Sequence, residues 1–339
     1  MLTKRQITAA TTRAAEVLRD SGAKVRIEQE GYTRVDPFRI ADSAGVLVML
    51  RPLEKLLGAF LSADQPGILV NSERPAGLIQ MTCAHELGHF FLNHGTTSDE
   101  QLDYSNTASQ KELEADWFAY GLVAPRWAIA RIMKRKGWAI SHLSHPFMLY
   151  QLALRLGISY TATAWSLNRL GLMSRQAVQE VLSVQPAAIK KSLLQKHSLA
   201  NAQRDVWLLD DADRDLILEP RVDDKMIVRL KNHSGSGYVW TTDEASSEGF
   251  SIEPVTPAPT KGDDGILFIA GGVQFQDYLV THIPELQLHP AHLELAERQP
   301  WRESAPSLDQ FSTNAQFEQI APGLSQAAKE KMLQGTARS

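Results

Sequence analysis

The 339-residue sequence has a single cysteine and no long apolar run. Because Cys83 has no second cysteine to pair with, an intramolecular disulfide is excluded. No uninterrupted apolar stretch approaches the ~20 residues that a bilayer-spanning helix needs. The first twenty residues mix apolar and charged side chains and lack the apolar core of a signal peptide. These absences predict a cytoplasmic protein in a reducing compartment, without a membrane partner.

The net charge of -4 conceals an uneven distribution along the chain. Residues 1–124 carry 12 basic and 16 acidic side chains, residues 125–200 carry 11 and 1, and residues 201–339 carry 12 and 22. The three segments therefore have net charges of -4, +10 and -10. Such asymmetry indicates separate domains and electrostatic partners, but says nothing about their folds.

The spacing of apolar residues predicts an α+β chain. We expect helices at 4–20, after Asp36-Pro37, from 71–75 through His94, at Ser109–Val123 and across 126–199, and strands at Val46–Leu50 and Gly67–Asn71. Beyond Ala202, short alternating runs indicate a β-rich region, with strands at Met226–Leu230, Tyr238–Thr241, Ile266–Ile269 and His292–Ala296. The predicted divisions are 1–125, 126–200, 206–315 and a peripheral tail at 316–339.

Two histidines with metal-ligand spacing lie in the helix predicted to end at His94. His85 and His89 are four residues apart, so both imidazoles can reach one cation from the same helix face. Glu86 follows the first histidine and lies beside the position that three protein ligands leave open. There it can take a proton from the water molecule that attacks a peptide carbonyl, and then pass it to the leaving amine.

A third ligand is available on the next predicted helix. Glu112 completes a His, His, Glu set, and Asp116 lies one turn further on the same face. Asp116 is then placed to hold the second ring nitrogen of a ligand histidine. We expect Glu114 to point elsewhere, His94 to be a surface or loop-anchoring residue rather than an extra ligand, and Cys83 to be buried and unreactive.

These motifs resemble, in order and spacing, those of the ImmA/IrrE family of metallopeptidases over about residues 1–175. The matching segments are Asp36-Pro37, Ile40 through Val46, Gly67 through Asn71, Ala84 through His89, and Glu112 through Ala119 followed by Pro125. The resemblance implies a gluzincin-like domain with a small sheet, one zinc ion bound by His85, His89 and Glu112, and a catalytic Glu86. It also implies that the substrates are helix-turn-helix transcriptional repressors, cut to relieve repression.

The basic segment at 126–200 contains a helix-turn-helix-like stretch. Leu152 through Ser159, followed by Ala162 and Leu167 through Leu172, resembles the portion that this family carries after its catalytic helices. A net charge of +10 over residues 125–200 would suit contacts to phosphates, which makes DNA a candidate partner. We favour a structural helical bundle, because the motif is not specific and the whole chain is acidic.

Residues 206–315 are weakly similar to chagasin-like inhibitors of cysteine proteases, which are β-sandwiches. Three segments resemble their inhibitory loops: Asn232 through Trp240 with Tyr238, then Gly271-Gly272, then Arg298 through Trp301 with Pro300. Each outer segment contains one extra residue. Recognition or sensing by a sandwich that no longer inhibits is an equally good interpretation.

Three functions are therefore compatible with the sequence. The first is a zinc endopeptidase that cuts a repressor in an exposed, extended segment, which could pair with a free sheet edge at Ile68–Asn71. The second is a non-enzymatic, zinc-containing binding or regulatory module, and the third is a protease inhibitor that acts through the sandwich. Glu86 favours the first, because a purely structural zinc site normally has four protein ligands and no adjacent base.

Overall fold

The computed structural model describes residues 2–99, 109–242, 247, 249–255, 274–283, 290–302 and 306–329. Its contacts divide the chain into two compact units, Met1–Ser183 with Gln319–Ser339, and Val184–Glu318. The mixed α+β class predicted from the sequence is confirmed. The four-part division of the chain stays a prediction.

Helices dominate the first unit and strands the second. The α-helices are α1 (Lys4–Asp20), α2 (Ala23–Glu28), α3 (Pro37–Ser43), α4 (Ala76–Phe91), α5 (Gln110–Val123), α6 (Arg126–Lys136), α7 (Pro146–Leu156), α8 (Tyr160–Arg169), α9 (Arg175–Leu182) and α10 (Pro186–Leu194). Short 3-10 helices lie at Ile140–Ser144, Asp211–Asp213 and Ser234–Ser236. Among the described residues, no helix combines the length and the apolar composition needed to cross a bilayer.

The strands form three sheets. They are β1 (Leu47–Arg51), β2 (Gly58–Leu61), β3 (Gly67–Asn71), β4 (Thr97–Asp99), β5 (Val206–Leu209), β6 (Ile217–Leu218), β7 (Lys225–Asn232), β8 (Val239–Thr242), β9 (Phe250–Val255), β10 (Gln274–His282), β11 (Ala291–Arg298), β12 (Asp309–Ala315) and β13 (Gly323–Leu324). The first unit contains β1 to β4 with β13, and the second contains the others.

The sheet of the first unit has the order β13-β1-β3-β2-β4. Strand β3 is parallel to β1 and antiparallel to β2, so it has a neighbour on both sides. The prediction of a free edge at Ile68–Asn71 is therefore wrong. Among the described residues, the edge on that side of the sheet is β4, which pairs with β2 through Thr97 and Phe60. On the opposite side, Leu324 of β13 pairs with Met49 of β1.

Helix α4 is the buried centre of the first unit. Every residue from Ile79 to His89 is buried, because α4 packs on β2 and β3 and also against α5. A helix that is covered all round needs no polar stripe, and the polar groups that it does bury must have partners. The polar residues of α4 are therefore informative about function.

Local sequence signals set the ends of the flanking helices. Asp36 caps α3, because its Oδ1 atom accepts hydrogen bonds from the backbone N–H groups of Phe38 and Arg39 at 2.9 and 3.3 Å. Ser109 caps α5 by accepting from Glu112 N at 3.3 Å. Each cap fixes the residue at which its helix begins. In α5, Glu112 and Asp116 are four residues apart and so share one face.

Helices α7 and α8 are joined by a short turn that packs on α4. Gly157 in this turn has φ +69°, a conformation that suits glycine. A methyl group at Gly77 of α4 would lie 2.5 Å from the backbone nitrogen of Ser159. The helix-turn-helix-like stretch is thus in close backbone contact with the helix that carries His85 and His89.

The second unit contains two four-stranded sheets, ordered β5-β7-β10-β9 and β6-β12-β11-β8. Alternate residues of β12 are buried, as expected for a strand with one face in a core. Trp240 of β8 links the sheets by donating its indole N–H to the carbonyl of Lys231 in β7, at 2.7 Å. The predicted strand at 266–269 and the segment Gly271-Gly272 lie outside the described residues.

Candidate metal centre

Three donor atoms converge between α4 and α5. The Nε2 atoms of His85 and His89 are 3.1 Å apart. Glu112 Oε2 lies 3.2 Å from His85 Nε2 and 3.4 Å from His89 Nε2. Among the described residues, this trio is the one group of histidine, cysteine and acidic side chains able to share a metal ion.

The spacing of the three atoms fits a tetrahedral cation. Ligands held about 2.0 to 2.1 Å from zinc at tetrahedral angles are separated by about 3.3 Å from one another. The observed separations of 3.1, 3.2 and 3.4 Å match this value. Two imidazoles and one carboxylate are also a donor set that suits zinc and leaves a fourth position for water.

Close packing of α4 against α5 brings the donors together. Gly88 lies between the two histidines, and a methyl group there would be 2.9 Å from the Cα atom of Ala115. Ala115 lies on α5 between Glu112 and Asp116. The absence of a side chain at Gly88 therefore lets the backbones approach until Glu112 reaches both imidazoles.

Asp116 lies on the far side of His85 from the donor atoms. Its Oδ1 atom is 3.0 Å from His85 Nδ1, and the side chains of both residues are 3% exposed. When Nε2 serves as the metal ligand, Nδ1 carries the proton and donates it to this carboxylate. Arg169 of α8 approaches the other oxygen of Asp116 at 3.9 Å, and its guanidinium lies over the Tyr120 ring at 3.8 Å.

Glu86, which follows His85 in α4, is completely buried. The hydroxyl of Thr97 on β4 donates to Glu86 Oε2 at 3.4 Å. On the other side, a methyl group at Gly58 of β2 would lie 2.6 Å from Glu86 Oε1. The sheet thus holds the Glu86 carboxyl in place. Strand β2 leaves room for this carboxyl because Gly58 has no side chain.

His94 is not a surface residue, contrary to expectation. It is 8% exposed, and its Nδ1 atom is 3.1 Å from Nδ1 of His89. Its Nε2 atom is 3.2 Å from Glu114 Oε2, so Glu114 also faces the centre's surroundings. Of the two alternatives expected for His94, a surface or a loop-anchoring residue, the first was wrong because α4 ends at Phe91, whereas a helix continued through His94 would turn that residue away.

The electrostatics of the cluster favour an ionised Glu112. Hydrogen bonds from His85 and His89 hold the pKa of the Glu112 carboxyl well below its usual range. Burial is the largest cause that lowers the pKa of His94, which favours a neutral imidazole. Burial likewise raises the pKa of the Cys83 thiol, as expected for a buried apolar role.

The inhibitor-like segments of the second unit occupy contrasting environments. Trp240 is 7% exposed and forms part of the core, whereas Trp301 is 67% exposed and Pro300 is exposed as well. The ring of Trp301 lies against Gly237, the neighbour of Tyr238, since a methyl group at Gly237 would be 2.4 Å from that ring. His233 and Glu297 join the two segments through a 2.8 Å contact between Nδ1 and Oε2.

Comparisons with known proteins give a family match over part of the chain and partial likenesses to solved structures. Residues 41–168 match the peptidase M78 model, described as the IrrE N-terminal-like domain. No curated protein matches the chain. The chain is similar to the cysteine protease inhibitor EhICP2 from Entamoeba histolytica, with 13% identity and a TM-score of 0.27, over 34% of this chain and 97% of that one.

A second solved structure, that of amebosin, gives 20% identity and a TM-score of 0.25 over 34% of this chain and 98% of the other. At these TM-scores neither likeness bears on activity. The family match covers α4, α5, α7 and nearly all of α8, and therefore all the donor residues of the centre. Over residues 41–168, the chain is therefore similar to the IrrE N-terminal-like domain of the peptidase M78 family.

Proposed function

We propose that the protein is a zinc-dependent endopeptidase that cuts a helix-turn-helix transcriptional repressor and so relieves repression. The observation that carries the proposal is the convergence of His85, His89 and Glu112 next to a buried Glu86. Three protein ligands with an adjacent carboxylate are the arrangement of hydrolytic zinc sites, since structural sites normally have four protein ligands. The peptidase family match supports the same class of reaction.

His85, His89 and Glu112 would hold the zinc ion, which supplies Lewis acidity and lowers the pKa of a water molecule. Glu86 accepts a proton from that water as its oxygen attacks the scissile carbonyl carbon. The same carboxyl then gives the proton to the leaving amine nitrogen as the C–N bond breaks. Asp116 keeps His85 in the tautomer that leaves Nε2 free to bind the metal.

The edge strand β4 is the best candidate for holding the substrate. Thr97 in this strand contacts Glu86, so a peptide that pairs with β4 would pass beside the catalytic carboxyl. Strand addition to a sheet edge selects extended peptides and not helices. This supports cleavage in an exposed, extended segment of the repressor and not within its folded DNA-binding core.

The repressor as substrate rests on the ImmA/IrrE resemblance, and the basic segment adds a physical reason. Residues 125–200 carry 11 basic and 1 acidic side chains, and attraction to phosphates would concentrate the enzyme near DNA-bound repressor. DNA is therefore a proposed auxiliary partner. Cleavage of DNA-bound repressor should then weaken as salt is raised.

Elemental analysis of purified variants tests the metal centre. We expect one zinc ion per chain in the wild type and in Glu86→Gln, and a large loss in Glu112→Gln, because the amide is a poor zinc ligand. Glu54→Gln, a change at an exposed carboxylate of the same unit, is the matched control and should retain zinc. Undiminished zinc in Glu112→Gln would contradict the proposed ligand set.

A second candidate function for the other unit is the binding of a protein through its exposed loops. Trp301 is 67% exposed and lies next to Gly237, which places two of the inhibitor-like segments side by side. Exposed tryptophans are frequent anchors in protein interfaces. Inhibition of a papain-like protease by the wild type but not by Trp301→Ala would support this function, and no inhibition by either would remove it.

A further inference from the structure

His94 and Glu114 lie outside the donor set: His94 contacts the ring of His89, and Glu114 contacts His94. Three contacts form a continuous chain from His89 to α1, and a fourth joins this chain to Gln110 of α5. His89 Nδ1 is 3.1 Å from His94 Nδ1, and His94 Nε2 is 3.2 Å from Glu114 Oε2. Glu114 Oε1 in turn accepts hydrogen bonds from Gln6 Nε2 at 3.0 Å and from Gln110 Nε2 at 2.8 Å.

The backbone places His94 at this position by a defined helix ending. Asn93 has φ +56°, a left-handed conformation that asparagine adopts more readily than most residues. His94 N then donates to His89 O at 3.0 Å, and Asn93 N donates to Phe90 O at 3.2 Å. This pair of bonds is the Schellman motif, and it folds the chain back so that His94 meets the His89 ring.

A second backbone contact fixes His94 against α5. The Lys111 ammonium donates to the His94 carbonyl at 2.7 Å. The side chain of His94 is 6% exposed and that of Glu114 is 18% exposed, so little water competes for their contact. Contacts to α5 and shielding from water therefore both hold His94 in place.

The direction of each hydrogen bond follows from the chemistry of His89. If His89 binds a metal through Nε2, its Nδ1 carries a proton and must donate it. The acceptor is His94 Nδ1, which leaves the proton of a neutral His94 on Nε2, where it is donated to Glu114. Glu114, as a carboxylate, accepts at both oxygens. One set of proton positions thus satisfies every group in the chain.

We infer that His94 and Glu114 are positioning residues that orient His89 for metal binding, in the way that Asp116 orients His85. The inference rests on the proposed metal centre. Each ligand histidine is then linked to a carboxylate. Asp116 contacts His85 directly, and Glu114 is linked to His89 through the ring of His94. Loss of such outer partners typically weakens metal binding by about 10- to 100-fold.

The zinc dissociation constant, measured by competition with a chelator, tests this role. His94→Phe keeps a ring but offers no acceptor to His89, and Glu114→Gln has nearly the same shape but must present its amide N–H groups to one of its donor neighbours. We expect the dissociation constant of both variants to rise about 10- to 100-fold. His145→Phe and Glu54→Gln, at exposed positions of the same unit, should match the wild type.

The melting temperature of each metal-free variant separates orientation from folding. Weaker zinc binding with an unchanged metal-free melting temperature is the expected result. Wild-type zinc affinity in both His94→Phe and Glu114→Gln would overturn the inference and leave the proposed function standing. Failure of the wild type to bind zinc would overturn both.

Discussion

At Gly58, the absence of a side chain leaves the space that the Glu86 carboxyl occupies. A methyl group there would lie 2.6 Å from Glu86 Oε1, 2.6 Å from Thr82 Cγ2 and 3.1 Å from the carbonyl of Leu69. The carbonyl belongs to the adjacent strand and cannot move without disturbing the sheet. Glu86 would therefore be displaced.

Gly58→Ala should lower kcat and leave zinc binding intact, because it moves the proposed base and none of the donor atoms. Misplacement of a reacting group by about 1 Å costs on the order of 100-fold in rate. We expect a 10- to 100-fold loss, measured with a cleavable peptide alongside elemental analysis. Gly67→Ala is the matched control, because its methyl group would meet nothing closer than 3.7 Å. An unchanged kcat in Gly58→Ala would show that Glu86 keeps its place or is not the base.

Asp224 is a buried carboxyl in the second unit with a predictable effect on stability. It accepts hydrogen bonds from the backbone of Asp205 at 2.8 Å and from the Trp207 indole at 3.1 Å. Burial, together with the nearby charge of Asp205, raises its pKa from 3.8 to about 6. The folded state therefore binds this proton more tightly than the unfolded state does.

The stabilisation by protonated Asp224 is complete below pH 3.8 and is lost as the pH rises through about 6. A shift of this size corresponds to roughly 2 to 3 kcal/mol. Asp224→Asn cannot titrate, so its free energy of unfolding relative to the wild type should improve between pH 4 and pH 7. Urea unfolding at several pH values measures this. A difference between the two proteins that does not vary with pH would contradict the raised pKa.

At the level of single residues, part of the candidate site is predictable from the sequence and part is not. The spacing of His85 and His89, with Glu86 between them, is visible in the sequence because helical periodicity alone aligns two residues four apart. Their roles, with those of Glu112 and Asp116, stay predictions that the geometry supports. His94 was missed because its position depends on one backbone angle at Asn93. The sequence Asn93-His94-Gly95 was the available signal for a helix ending.

Among the elements, the contact between α4 and α5 decides whether the donors meet. Gly88 allows it, and the nearest atoms to a methyl group there are backbone atoms of Ala115 at 2.9 and 3.0 Å. A backbone neighbour cannot rotate away as a side chain can. Separation of the two helices would move Glu112 away from both histidines.

Gly88→Ala should therefore weaken zinc binding at least about tenfold, comparable with the loss of an outer partner. The higher helix propensity of alanine adds about 1 kcal/mol of stability, and overpacking removes about 1 to 3 kcal/mol. We expect net destabilisation, because the backbone cannot give way. Gly121→Ala on α5, where the nearest atom is the Ala14 methyl at 3.2 Å, is the control and should retain zinc affinity. Wild-type zinc affinity in Gly88→Ala would contradict this account of the helix contact.

In the first unit, the predicted elements were accurate where the periodicity is long and failed where the elements are short, whereas β9, β10 and β12 of the second unit were missed despite their length. Helix α5 and strand β3 were predicted to within a residue, because a capping serine and flanking glycine mark their starts. Strands β2, β4 and β13 were not predicted, since two to four residues carry no period. The missing β2 made β3 look like a free edge, and the correct edge, β4, is visible only in the sheet order.

At the scale of the whole molecule, the chain combines a unit that contains the candidate metal centre, here called the metal-centre unit, with a β-rich unit. The helix-turn-helix-like stretch belongs with the metal-centre unit, where Arg169 of α8 approaches Asp116 and Gly77 meets the turn before α8. These contacts supply a structural reason for the helical segment. Binding of DNA by its basic residues stays a prediction, since charge excess alone cannot distinguish a DNA-binding face from a solvated one.

The α+β class and the family resemblance were predictable from the sequence, because the motifs that carry them are contiguous or regularly spaced. The pairing of β13 with β1 in the first sheet was not predictable from the sequence. Gly323 and Leu324 of β13 are separated from β1 by more than 250 residues of sequence. No local pattern encodes it.

Mass mapping of repressor fragments tests the central claim most directly. A helix-turn-helix repressor is incubated with zinc-loaded wild type and with Glu86→Gln, which should keep its zinc but lack the base. The account predicts discrete fragments, cut in an exposed extended segment, from the wild type and none from Glu86→Gln. A repressor that stays intact with the wild type while unfolded proteins are degraded would contradict the regulatory function, and equal cleavage by Glu86→Gln would contradict the mechanism.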